Sequence, residues 1–122
     1  MSITFLRMTL AAAVFAFGSA SITQADALFF EKAAVRTTSE ATCLRFAGDV
    51  ARTQGFQNVH ESQSEVAGVK SGVYLSITCV GRGPQDAIAV VMAVAPTFGA
   101  AQQIGQLVAD KVRGVTCFDS PC

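Results

Sequence analysis

The stretch from Val73 to Ala95 constrains this chain more than any other. It reads Val-Tyr-Leu-Ser-Ile-Thr-Cys-Val, then Gly-Arg-Gly-Pro-Gln-Asp, then Ala-Ile-Ala-Val-Val-Met-Ala-Val-Ala. Two apolar runs of strand length around a Gly/Pro break read as a hairpin, and the rest of the chain must pack against it. In the first run Val73, Leu75, Ile77 and Cys79 alternate with Tyr74, Ser76, Thr78 and Val80, a period of two. The second run is continuously apolar, bulky at Ile88, Val90, Met92 and Val94 and small at Ala87, Ala89 and Ala93, as a central strand would be.

Upstream, Ser39 offers an N-cap oxygen and Glu40 an acid in the first turn, so a helix is expected from there to about Gln54, stopping at Gly55. Cys43, Phe46, Ala47, Val50 and Ala51 fall on one side of it. Gln57 to Val69 is the most polar part of the fold and reads as a single edge strand, with Gly68 marking a bulge or bend. Downstream, Pro96 ends the hairpin and Thr97 caps a second helix, whose apolar stripe is Phe98, Ala101, Ile104, Leu107, Val108 and Val112 and which closes at Gly114. Leu28 to Thr37 supplies a first strand.

These elements predict an α+β domain: an antiparallel sheet of three to four strands with both helices on one face, in the order β-α-β-β-β-α. The helix-facing side is expected to carry Val73, Leu75, Ile77, Ile88, Val90, Met92 and Val94. That leaves Tyr74, Ser76, Thr78, Ala89, Val91 and Ala93 on the free side, the candidate interaction face.

Arg7, the apolar run Met8 to Phe17 and the triplet Ala25-Asp26-Ala27 form the charged, apolar and A-x-A parts of a secretory signal. Residues 1–27 are therefore expected to be a removed leader, and 28–122 a single domain in the periplasm or secreted, with no membrane attachment once the leader is gone. The apolar run is shorter than the ~20 residues a membrane span needs. A formal charge of zero, with both signs interspersed, leaves no footprint for nucleic acid.

Four cysteines in an exported chain read as a framework of two disulfides, with three connectivities among which the sequence alone does not choose. Cys43 on the inner side of the first helix and Cys79 on the inner side of a strand can meet across the core, closing a loop worth about 3.5–4 kcal/mol. Cys117 and Cys122 would close a smaller loop, worth roughly 2 kcal/mol, and pin the tail. As a redox dithiol the latter pair has the wrong spacing, since Cys-Phe-Asp-Ser-Pro-Cys is not C-x-x-C.

Motifs for chemistry are weak throughout. His60-Glu61-Ser62-Gln63-Ser64 begins like H-E-x-x-H but has serine where the second histidine must stand. On a single strand, His60 would also face away from Glu61 and Glu65. There is no G-x-S-x-G elbow for a nucleophile, and Gly81-Arg82-Gly83-Pro84 lacks the lysine and hydroxyl of a P-loop. No catalytic, metal or cofactor site is assigned.

With Cys43 early in the first helix, Gly55-Phe56 at its end, a strand ending in Cys79 and Ala-Val-Val-Met-Ala-Val-Ala before the last helix, the chain resembles small exported bacterial domains of unknown function. That resemblance implies neither an activity nor site residues. The expected function is a non-enzymatic module that binds a protein or a second copy of itself. One variant is a small inhibitor of a periplasmic or extracellular enzyme. The alternatives are a small hydrolase or metal-dependent enzyme using His60, and a small-ligand carrier, against which a core filled by Phe46, Met92, Phe98 and Leu107 would argue.

Overall fold

In a computed structural model, residues 26–116 are described. The elements in chain order are β1 (Ala27–Ala34), α1 (Glu40–Thr53), β2 (Gln57–Glu61), β3 (Glu65–Lys70), β4 (Val73–Arg82), β5 (Gln85–Ala95) and α2 (Phe98–Arg113). The strands form one five-stranded sheet, wholly antiparallel, in the order β1-β5-β4-β3-β2, and both helices pack on the same side of it. The α+β architecture is as expected, with five strands in place of three to four. Residues 1–25 and 117–122 lie outside the described part, and with them most of the leader and the Cys117–Cys122 pair. Ala27, the last residue of the expected leader, pairs with Ala95, so cleavage after it trims only the first residue of β1.

The extra strand comes from the polar segment. Gln57 to Val69 is a hairpin, not one edge strand: it turns at Ser62-Gln63-Ser64, where the Ser62 amide donates to the Glu65 carbonyl at 2.8 Å. Nothing in Ser-Gln-Ser carries the Gly/Pro punctuation that usually marks such a turn. The irregularity is also not at Gly68, which sits in regular register opposite Leu75. It falls in β2 between Gln57 and His60, with Asn58 in the left-handed region at φ 52°. Gly68 instead leaves room for Val59 and the Phe56 Cβ to close over it.

The helices begin as their caps dictate. Ser39 Oγ accepts from the Thr42 amide and Thr97 Oγ1 from the Ala100 amide, both at 3.2 Å, satisfying amides that the first turn leaves without a partner. Helix α1 stops where Gly55 turns at φ 84°. Its buried face is Cys43, Leu44, Phe46, Ala47, Gly48, Val50 and Ala51. Between helices and sheet lie Val35, Val66, Leu75, Ile77, Val91, Val108 and Val112, all fully buried. Arg52 pairs with Glu61 at 3.1 Å and Arg113 with Glu31 at 3.2 Å, tying each helix to an edge strand; half-exposed pairs of this kind contribute at most about 1 kcal/mol.

Helix α2 departs from the expected stripe. Phe98 and Leu107 are exposed, and the buried positions are Ala101, Gly105, Val108, Ala109 and Val112. Small residues let the helix lie close to β1, whose Phe29 ring sits against Gly105 and meets Phe98 edge-on at 6.1 Å. A methyl group on Gly105 would run into Phe29 Cδ1 and Cε1. Gly105→Ala is therefore expected to destabilise the fold by about 1 kcal/mol net, an overpacking cost of about 2 kcal/mol partly offset by about 1 kcal/mol of helix propensity. Gly99→Ala on the same helix, with open space around the added methyl, should be neutral or slightly stabilising. Thermal unfolding of both variants checks the pair, and a gain for Gly105→Ala would show that the Phe29 ring moves aside without cost.

Candidate interaction face

Side chains on β4 and β5 sort by register. Leu75 pairs with Ala93, Ile77 with Val91 and Cys79 with Ala89, and all six point at the helices. Tyr74 pairs with Val94, Ser76 with Met92, Thr78 with Val90 and Val80 with Ile88, on the outer face. Three of the residues expected on the free face, Tyr74, Ser76 and Thr78, are there. The other three, Ala89, Val91 and Ala93, are fully buried under the helices, and Ile88, Val90, Met92 and Val94 take their place outside.

The cause is a bulge at the hairpin end. Arg82 lies opposite Gln85, as a tight turn through Gly83-Pro84 requires, with Gly83 at φ 65°. If that register continued, Cys79 would meet Ile88 and Ile77 would meet Val90, the arrangement expected from residue size. Between Arg82 and Val80, however, β4 advances two residues while β5 advances three, from Gln85 to Ile88. A one-residue slip turns every later side chain over, because the period of a strand is two. The backbone groups near the bulge find side-chain partners: the Gly81 amide donates to Glu40 Oε2 at 3.2 Å, and Arg82 Nε donates to the Asp86 carbonyl at 2.7 Å.

The exchange suits the core. With Ala87, Ala89, Ala93 and Ala95 inward, β5 lets α2 and the disulfide approach closely. Cys43 and Cys79 are bonded, joining α1 to β4 beside Ala89, as the sequence suggested, and both are buried. This bond fits an oxidising compartment. Among the described residues no helix is long and apolar enough to cross a membrane.

The outer face that results is broad and apolar. Beside the β5 residues, β1 presents Leu28 and Phe30, 53% and 59% exposed, neither of them picked out from the sequence. Val69, Tyr74 and Val80 are also exposed. Lys32 on β1 and Glu65 on β3 are the charges within this surface, and Ser76 donates to Glu65 Oε1 at 2.6 Å.

His60 lies at the far edge of the same face. Because β2 and β3 are a hairpin, it pairs with Ala67 and shares a side with Glu65, contrary to the single-strand expectation; Glu61 points to the helix side, to Arg52. The His60 ring is exposed and its Nδ1 lies 3.2 Å from the Asn58 carbonyl oxygen, while Glu65 is engaged by Ser76, so no chain of hydrogen bonds joins imidazole, acid and hydroxyl. Among the described residues there is no cluster of three or more His, Cys, Asp or Glu arranged to hold a metal ion. Among the described residues, one surface cleft of about 280 Å³ lies beside the β3–β4 turn and another of about 470 Å³ between the C-terminal ends of the helices, lined by Asp49, Thr53, Lys111 and Val115 among others. Neither holds His60. Of the residues expected to fill the space between helices and sheet, Phe46 does so, whereas Met92 is on the outer face and Phe98 and Leu107 are exposed; Leu75, Ile77 and Val91 fill it instead.

No protein-family model, curated protein or solved structure matches the chain, so its own residues carry the functional reading.

Proposed function

We propose that the chain is an exported, non-enzymatic binding module, acting in the periplasm or after secretion, whose contact surface is the outer face of the sheet. One observation supports this above the rest: the bulge directs Ile88, Val90, Met92 and Val94 outward beside Phe30 and Leu28, although alanines could have stood there. Contiguous apolar surface of this kind on a small domain marks a contact site. Its few polar groups suit a rim or a register pin more than a reaction centre.

The double variant Phe30→Lys/Met92→Lys tests the reading, since both side chains point away from the core. The variant should unfold at nearly the parent's temperature yet lose whatever association the parent shows, with itself or with a partner retained from extracellular or periplasmic extract. If parent and variant behave alike in both assays, the face is not the contact surface.

A further inference from the structure

Granted that the outer surface is the contact surface, we propose that two chains stack sheet against sheet about a two-fold axis running parallel to the strands, midway between β4 and β5.

Two cross-strand rows of the face are complementary to themselves about that axis. Phe30, Met92, Ser76 and Ala67 form one row across β1, β5, β4 and β3. Its first half carries two long side chains, Phe30 being 59% exposed; its second half carries two short ones, Ser76 and Ala67, 2% and 1% exposed, with the Ser76 hydroxyl bonded to the neighbouring Glu65 carboxylate. A two-fold parallel to the strands keeps the row, exchanges β5 with β4 and exchanges β1 with β3. It therefore lays Phe30 over the second copy's Ala67 and Met92 over the second copy's Ser76, twice each. An isologous interface needs this kind of self-complementarity, in which each patch meets its own complement.

Charge repeats the pattern in a second row. Lys32 lies opposite Val90, which faces Thr78, which faces Glu65. The same axis puts Lys32 over the second copy's Glu65, and Glu65 over the second copy's Lys32. Lys32 has no ion-pair partner among the described residues, and Glu65 has one carboxylate oxygen committed to Ser76 and the other available. Aligned sheets about 10 Å apart are within reach of a lysine opposing a glutamate. At ~4.8 Å per strand and ~3.4 Å per residue, the four strands cover roughly 570 Å² per copy. Two such faces come to roughly 1,140 Å² in total, just under the lower bound of about 1,200 Å² for specific interfaces, so a weak dimer is expected.

Sedimentation equilibrium on the intact chain, its disulfide oxidised, tests this with Lys32→Glu, Glu65→Lys and their equimolar mixture. The parent should dimerise. Each variant alone places two like-charge contacts in the dimer and should weaken it about tenfold or more. In the mixture every contact is again Lys against Glu or Glu against Lys, so association should return to near the parent's level, which a misfolded variant could not produce. A dimer indifferent to these charges, or a mixture no better than its components, overturns the proposed axis. A parent that stays monomeric up to about 1 mM overturns self-pairing altogether, because even a minimal specific interface should populate a dimer there. If that monomer nevertheless retains a partner that Phe30→Lys/Met92→Lys loses, the binding-module reading stands without it.

Discussion

Replacing Cys43 and Cys79 together by alanine is expected to lower the unfolding free energy by about 4 kcal/mol. The bond spans a sequence separation of 36, and in the chain-entropy view a loop of that size restricts the unfolded chain by about that amount. Domains of this length have in total about 5–15 kcal/mol, so the loss removes a large share of the stability. The effect should not be confined to the unfolded state. Both sulfurs are buried between α1 and β4, next to Ala89, and two alanines leave unfilled volume at a place where β5 has no larger side chain to offer. Chemical denaturation with and without reductant, alongside the double variant, measures it. Agreement of the reduced parent with the variant within about 1 kcal/mol would identify the crosslink itself as the main source of the loss, whereas a variant far less stable than the reduced parent would point to packing.

What the sequence made legible was local. The caps at Ser39 and Thr97, the stop at Gly55, the two long strands and the approach of Cys43 to Cys79 each depend on residues close in the chain or on simple periodicity. The missed features depend on partners distant in sequence. The β2–β3 turn, Ser62-Gln63-Ser64, contains neither glycine nor proline, and the register of the hairpin is set by pairing to β4. The bulge near Gly81 is supported from α1, through Glu40, forty-one residues away. Along β5, residue size favoured the wrong face because large apolar side chains were assigned to the core. The core there instead needed small ones, to admit α2 and the disulfide. Half of the residues assigned to the outer side of the sheet therefore lie there, on β4. The other half was inverted, and the contribution of β1 was missed because a short N-terminal strand carries no register of its own until it pairs with β5.

The inversion of β5 creates the proposed contact surface, and two neighbouring valines report on it. Val91 points into the core opposite Ile77, with no exposed surface; Val90 points outward opposite Thr78. An aspartate at position 91 would bury a carboxylate among apolar side chains, and Val91→Asp is expected to cost about 4 kcal/mol or more. At position 90 the carboxylate remains in water, between Lys32 and Thr78 in its row, and Val90→Asp should cost only about 1 kcal/mol through strand propensity. The most direct measurement is thus the unfolding free energy of the two variants, taken at a concentration low enough to keep the chain monomeric. Val91→Asp should lose the native fold, or nearly all of its stability, while Val90→Asp unfolds close to the parent. The reverse order would place Val90 in the core and contradict the outward face on which the proposed binding function rests.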